Sequence, residues 1–496
     1  MYKILRMRAK LKILGLLLLA AVSSGCRHLA CPPLTHLSTS QSGVAAAYDS
    51  DRDGKGDFFI LSNTVGRASR IGYSAAASGK ADVVVDLDEI PFDRCRHMVI
   101  ILDGFGYDLV DKYYRSGGLS LFHAPSRVVA SYPAVTELSL SGILGAIPCL
   151  AVQSKYFDHK NNSIAGGFTD YVAGKYETYA RSLTYRASSR IEGAAWLYPW
   201  RVFDSEMEEI ERTFQRRTDH EVLAYVASSA AVSCLLGEEG QIECLQKVDR
   251  LITRLVWQTR GLVKVTLLAD HGQSLVVPRR TDITAHLIKR GWNPSDSLRD
   301  DHDFHVMRFG LMTVACLATR APARLASDVV SCEGAELASY AEQESVVVVS
   351  HSGNKAAIHK KHGRYRYEQV DGDPLELGEI LSQLKADTDG YYDADELLHA
   401  TVRHKYPNPL ERLWEAHYAL VENPPDVIVS LSDGFCFGSE AIGKFVTLAS
   451  THGSLNYRNG ETFIMSTAWP LPSVMRYWDI PTCMRAITGS SWPLVK

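Results

Sequence analysis

The stretch VIILDGFGYD, residues 99–108, decides the fold predicted for this chain. Its first part is an apolar run that ends at Asp103, and such a run is typical of a strand buried on both faces of a parallel sheet. A helical pattern follows it, and further apolar runs occupy residues 127–130, 262–269 and 426–431. Strands that alternate with helices predict an α/β fold with a doubly wound, mostly parallel sheet.

Polar side chains follow two of these predicted strands. Asp103 ends the first strand, and Asp270 and His271 leave the strand at 262–269 together. Because open α/β sheets bind ligands at the carboxyl ends of their strands, we expect these side chains to lie close together. Carboxylate and imidazole groups suit zinc, and manganese is the alternative. The sequence therefore predicts a transition-metal site at this edge of the sheet.

Thr136 lies in the segment YPAVTELSLSG, residues 132–142, where a helical run begins. A hydroxyl at such a place is most often an N-cap, which is the structural alternative. The same place also lets the helix dipole and free amides stabilise an alkoxide or an incoming phosphate. His452, in LASTHGSLN at 448–456, is a late candidate metal ligand of the same type as His271.

Taken in this order, the segments resemble the alkaline-phosphatase superfamily of metal-dependent phosphoester hydrolases, most closely its type I phosphodiesterase and nucleotide-pyrophosphatase branch. The resemblance covers residues 95–470 and implies a small phosphoester as substrate. It implies that Thr136 is the nucleophile and forms a phosphoryl-enzyme intermediate. It also implies two metal ions, with His452 as a ligand of the first. The implied ligands of the second ion are Asp103, Thr136, Asp270 and His271.

One part of the chain departs from that family's pattern. The family has Asp-x-x-x-His after a Tyr-containing strand, whereas YVASSAAVSCLLG, residues 225–237, carries Ala230 and Cys234 at these places. A thiolate can bind zinc, so Cys234 is an alternative ligand, but Ala230 offers none. Three interpretations stay open: an active hydrolase with one or two zinc ions, a pseudoenzyme of the same fold that binds without catalysis, and a structural surface lipoprotein.

The first 25 residues predict export. Five basic residues precede the apolar run at 13–22, which is too short to span a bilayer and is typical of a signal peptide. The small residues before Cys26 resemble a bacterial lipobox, in which Cys26 becomes the lipidated first residue. Ser23 stands where the lipobox has Leu, which leaves ordinary signal cleavage open. We expect a lipoprotein in the periplasm or at the cell surface, in contact with the membrane only through its lipid.

The segment YDSDRDGKGDFFIL, residues 48–61, is rich in aspartate. Carboxylates at alternate positions around a glycine are typical of short extracellular calcium loops. A solvated Asp/Gly turn between two strands is the alternative. The candidate calcium ligands are Asp49, Asp51, Asp53 and Asp57.

Charge and composition limit the remaining choices. Loss of the signal peptide, which carries five basic and no acidic residues, takes the formal charge from −4 to −9, with 48 basic against 57 acidic residues. An acidic chain of this kind predicts no nucleic-acid-binding surface. The sequence suggests a division into a signal peptide (1–25), a tether (26–45), a small N-terminal β segment (46–92), a hydrolase core (93–280 and 425–496) and an inserted α+β region (281–424).

Overall fold

The computed structural model describes residues 34–40, 43–50, 52–64, 66–74, 79–173, 178–489 and 491–493. The predicted signal peptide, Cys26 and Asp51 lie outside these residues, so export and lipidation stay predictions. Among the described helices, none is both long and apolar enough to cross a membrane.

The described residues form a mixed α/β fold with several sheets. The strands are β1 (Leu34–Ser40), β2 (Gly43–Tyr48), β3 (Phe58–Ser62), β4 (Ala68–Tyr73), β5 (Val83–Asp86), β6 (Arg96–Leu102), β7 (Ser126–Val129), β8 (Lys155–Asp158), β9 (Ser163–Gly166), β10 (Tyr185–Arg186), β11 (Glu221–Val226), β12 (Val263–Ala269), β13 (Arg279–Arg280), β14 (Asn293–Pro294), β15 (Asp303–Val306), β16 (Leu311–Met312), β17 (Val314–Thr319), β18 (Ala335–Glu342), β19 (Ser345–Ser350), β20 (Lys355–Lys361), β21 (Arg364–Asp371), β22 (Val427–Leu431), β23 (Phe435–Gly438), β24 (Glu461–Ser466) and β25 (Val474–Arg476).

Helices connect some of these strands. The α-helices are α1 (Tyr107–Arg115), α2 (Thr136–Ile143), α3 (Phe168–Val172), α4 (Ser189–Ala195), α5 (Pro199–Arg216), α6 (Ser228–Gln258), α7 (Ile283–Lys289), α8 (Pro322–Val329), α9 (Gly378–Ser382), α10 (Ala394–Thr401), α11 (Pro409–Tyr418), α12 (Glu440–Gly443), α13 (Tyr457–Gly460) and α14 (Ile480–Thr488). Short 3₁₀ helices occupy Phe92–Arg94, Thr178–Ser182 and Tyr477–Asp479.

The central sheet has seven strands in the order β10-β11-β6-β12-β24-β7-β25. Only β24 runs antiparallel to its neighbours, so the sheet is mostly parallel, as the sequence predicted. Met98, Ile100 and Leu102 of β6 pack on the face that α1, α5 and α6 cover. Val99 and Ile101 pack on the opposite face, against α2 and α14. Strand β6 is thus buried on both faces, which explains its uninterrupted apolar run.

The N-terminal strands β1–β5 form an antiparallel sheet in sequential order. Its side chains Phe58, Ile60 and Ile71 join the apolar core on the α6 face of the central sheet. The predicted β segment therefore packs directly on the main core.

The aspartate-rich turn between β2 and β3 is held by its own amides. The Asp49 carboxylate accepts hydrogen bonds from the amides of Arg52 (2.6 Å) and Gly54 (2.9 Å), and Asp57 accepts one from Ser50 (2.7 Å). These are the bonds of the Asp/Gly turn that the sequence left open as the alternative. They give no support to calcium binding, which stays a prediction.

A second sheet of eight strands has the order β14-β15-β17-β22-β18-β19-β20-β21 and is antiparallel except between β14 and β15. It includes β22, the strand predicted at 426–431, which the sequence-based division at residue 425 assigned to the hydrolase core. An apolar run does not reveal its sheet, because pairing depends on partners distant in sequence, here β17 and β18. The central sheet instead takes β24, which the sequence did not predict.

Candidate active site

Asp103 directly follows β6 at the carboxyl edge of the central sheet. Its side chain is buried, and its Oδ2 accepts hydrogen bonds from Thr136 Oγ1 (3.1 Å) and from the Tyr225 hydroxyl. Its backbone N–H donates to Ser229 Oγ at 2.7 Å. The carboxylate is therefore held by residues from two other segments of the chain, and the backbone of Asp103 by a third residue, Ser229.

Asp270 directly follows β12, the strand beside β6, and is fully buried. Its Oδ1 accepts hydrogen bonds from the amides of Gly104 (3.0 Å) and His271 (2.8 Å). Its Oδ2 is buried without a hydrogen-bond partner. A buried carboxylate oxygen without a partner is costly, and this arrangement suits a cation that binds Oδ2.

Gly104 makes the turn that brings the two carboxylates together. Its φ of +73° lies in the left-handed region, which favours glycine. A Cβ at this position would also lie 2.9 Å from Gln273 Oε1. Glycine after Asp103 therefore fits both the backbone conformation of this turn and the small space beside Gln273.

His271 is fully buried and faces both carboxylates. Its Nδ1 donates to the Gly272 carbonyl at 2.9 Å, which leaves Nε2 unprotonated in the neutral ring. Nε2 lies 3.4 Å from Asp270 Oδ2, 3.9 Å from Asp103 Oδ1 and 3.4 Å from Thr136 Oγ1. Burial lowers the pKa of His271, which favours the neutral form that a metal ligand needs.

These three side chains fit a metal ion. One ligand atom each from Asp103, Asp270 and His271 lies within 4.8 Å of the others. Burial, and then the charge of Asp103, raise the pKa of Asp270 well above its usual value. Two carboxylates held this close repel each other, and a bound cation would remove that repulsion. Oxygen and imidazole ligands suit zinc, and manganese is the alternative.

Thr136 is the first residue of α2 and is not its N-cap. The N-cap is Val135, and no side chain caps this helix end. The Thr136 hydroxyl donates to Asp103, outside its own helix. The N-cap alternative left open by the sequence is therefore excluded, and the hydroxyl lies beside the metal-ligand group.

His452 lies next to His271, and its predicted role as a ligand of the first metal ion stays a prediction. The two rings are stacked, with centroids 4.0 Å apart. Its Nδ1 donates to the Ala134 carbonyl at 2.9 Å, and burial lowers its pKa to about 3. The ring is therefore neutral with Nε2 as its unprotonated nitrogen, although it is not part of the three-residue ligand group.

The position of Cys234 does not favour a role as a metal ligand. Gln273 Nε2 donates to Cys234 Sγ (3.3 Å) and to Ser450 Oγ (2.8 Å), and Ser450 Oγ donates to the Ser233 carbonyl (2.5 Å). Burial raises the pKa of the Cys234 thiol to about 12, which opposes the thiolate form that binds zinc. Ala230 has no ligand atom, and one ligand group, Asp103, Asp270 and His271, is found among the described residues.

Sequence reasoning missed Tyr225 and Gln273 as parts of the site. Tyr225 lies on β11 and reaches Asp103 because β11 pairs with β6 in parallel. Gln273 follows His271 by two residues, and its amide fills the space beside Cys234. Neither residue type is distinctive by itself, so only strand order and packing could identify them.

Comparisons with known proteins find little sequence relationship. No protein-family model matches the chain, and no curated protein matches it in sequence. A solved structure of human ectonucleotide pyrophosphatase/phosphodiesterase 5 is similar with a TM-score of 0.43 and 10% identity, over 80% of this chain and 95% of that chain. The murine protein of the same name gives a TM-score of 0.42 and 10% identity over the same shares.

Proposed function

We propose that this protein is a metal-dependent hydrolase of phosphoric esters that uses Thr136 as its nucleophile. The observation that carries the proposal is the position of Thr136 Oγ1, 3.1 Å from Asp103 Oδ2 and 3.4 Å from His271 Nε2. A hydroxyl at the start of a helix, beside a buried group of metal-ligand type, has the surroundings that phosphoryl transfer requires.

The ligand group would hold one zinc or manganese ion through Asp103, Asp270 and His271. When bound, this ion would neutralise charge on the phosphoester oxygens and lower the pKa of the nucleophile. His452 lies beside this group, and its Nε2 is the atom available to a metal or to substrate. We propose one ion because Ala230 offers no ligand and the Cys234 thiol accepts a hydrogen bond from Gln273.

The proposed reaction proceeds in two displacements. Thr136 Oγ1 attacks phosphorus, its proton passes to Asp103 Oδ2, and the ester P–O bond breaks to release an alcohol that takes up that proton. Water then cleaves the Thr136–phosphorus bond, which restores the hydroxyl and releases the phosphoric acid product. No side chain caps the N-terminus of α2, and the amides of its first turn and the helix dipole would stabilise negative charge on the phosphoryl group.

A catalytically impaired protein of the same fold is the second candidate. The observation that favours it is the hydrogen-bond network of Cys234, Gln273 and Ser450, which provides no second set of metal ligands. Such a protein would keep one metal site and act as a surface binding or structural lipoprotein. We propose in either case a small phosphoester as ligand and export with a lipid anchor at Cys26.

The test is turnover of bis-p-nitrophenyl phosphate by the purified mature chain, with and without a chelator. The hydrolase proposal predicts chelator-sensitive turnover that Thr136→Ala abolishes. Thr488→Ala is the matched control, because Thr488 Oγ1 donates to Met484 O within the last helix. Chelator-sensitive turnover that survives Thr136→Ala would show another nucleophile, and absence of turnover with bound metal would favour the binding protein.

A further inference from the structure

The Tyr225 hydroxyl forms a hydrogen bond with a carboxylate of the candidate metal group. It donates to Asp103 Oδ2, the same oxygen that accepts the hydroxyl of Thr136. The Tyr225 side chain is buried, and β11 pairs with β6 along its whole length. The phenol is thus fixed by the sheet, on the strand that flanks β6 on the side opposite β12.

This bond distinguishes the two oxygens of Asp103. Oδ2 accepts two hydroxyl donors, whereas Oδ1 faces His271 Nε2 at 3.9 Å. Oδ1 is therefore the oxygen left for a metal ion. When Thr136 acts as a nucleophile it ceases to donate to Oδ2, so Tyr225 is the donor that remains and holds the carboxylate in the same orientation.

We infer that Tyr225 is a positioning residue that orients Asp103 for metal binding and keeps Oδ2 hydrogen-bonded while Thr136 reacts. This inference rests on the proposed function, because it concerns the same metal group. Partners that orient metal ligands change metal affinity by about 10- to 100-fold when they are removed. The phenol itself touches neither the metal nor the substrate, and it acts through Asp103.

The experiment compares zinc affinity of the wild-type chain, Tyr225→Phe and Tyr73→Phe, by competition with a chromophoric chelator. Tyr73→Phe is the matched control, since its hydroxyl also makes one hydrogen bond from a sheet, to the Trp257 carbonyl at 3.2 Å, remote from the metal group. We expect about 10- to 100-fold weaker zinc binding for Tyr225→Phe and no change for Tyr73→Phe. Urea unfolding of the metal-free chains should be similar for the two variants.

A second readout separates positioning from a purely structural effect. In Tyr225→Phe, the zinc concentration that gives half-maximal turnover should rise by the same factor as the dissociation constant for zinc. Turnover at saturating zinc should fall by a smaller factor than the zinc affinity. Unchanged zinc affinity in Tyr225→Phe, with a wild type that binds zinc, overturns the inference and leaves the proposed function intact. A wild type that binds neither zinc nor manganese overturns both, and this result is seen before any variant is compared.

Discussion

Arg412 is buried beneath the two loops that carry Thr136 and His452. From α11 its guanidinium donates to the carbonyls of Ser131 (3.0 Å), Leu455 (2.7 Å) and Pro407 (3.2 Å). Ser131 and Leu455 belong to the segments that carry Thr136 and His452. Arg412 therefore connects the inserted region to both sides of the candidate site.

Two opposing free energies decide the effect of Arg412→Met. Burial lowers the pKa of Arg412 to about 9, a shift that corresponds to a cost of about 5 kcal/mol for the charged form. Each hydrogen bond from a charged donor contributes about 1.5–3 kcal/mol, and three are lost. The bonds outweigh the relief of burial, so we expect the free energy of unfolding to fall by about 2 kcal/mol.

The functional effect of Arg412→Met should exceed its effect on stability. A displacement of about 1 Å in a reacting group can reduce a rate by about 100-fold, and both site loops lose their shared contact. We expect turnover of bis-p-nitrophenyl phosphate to fall by at least about 10-fold. Urea unfolding and turnover are measured on the same preparation. Arg254→Met is the control, because this substitution breaks an ion pair with Glu211 (2.9 Å between the charged atoms) that lies away from the site. Unchanged turnover in Arg412→Met, or equal losses in both variants, would show that Arg412 does not hold the two site loops in their active positions.

Further predictions concern the metal ligands and the thiol. Cys234→Ser should leave the metal content unchanged. It should alter the free energy of unfolding by only about 1 kcal/mol, because a hydroxyl can still accept the hydrogen bond from Gln273. Loss of metal in this variant would show that the thiol is a ligand. In the metal-free chain, the folded-state pKa of Asp270 is raised, so the folded state binds more protons and stability falls as pH rises. In chelator, the free energy of unfolding measured with urea should therefore decline less between about pH 5 and about pH 8 for Asp270→Asn than for wild type. Equal declines in the two proteins would contradict the raised pKa of Asp270.

The order of polar residues along the chain was sufficient to predict much of the candidate site. Asp103, Asp270 and His271 each follow a buried strand, and parallel strands bring such residues to one edge. The structure places these three together and places Thr136 and His452 beside them. The sequence could predict these positions because an apolar run that ends in a polar residue marks the end of a buried strand.

Pairing and packing were not readable in the same way. The apolar run of β22 looks like a strand of either sheet, and only its pairing with β17 and β18 assigns it to the second one. Tyr225 reaches Asp103 through strand order, and Gln273 reaches Cys234 through side-chain packing. The sequence likewise could not distinguish a Cys234 thiolate ligand from a neutral thiol, because burial determines its pKa.

Whether this protein is a metal-dependent hydrolase is tested by its metal content per chain. The content is measured on the purified mature protein by elemental mass spectrometry, beside bis-p-nitrophenyl phosphate turnover. The arrangement of Asp103, Asp270 and His271 predicts one zinc or manganese ion per chain and turnover that ceases when the ion is removed. Two ions per chain would show that a second ligand set forms despite Ala230 and Cys234. No transition metal and no turnover would contradict the proposal of a metal-dependent hydrolase.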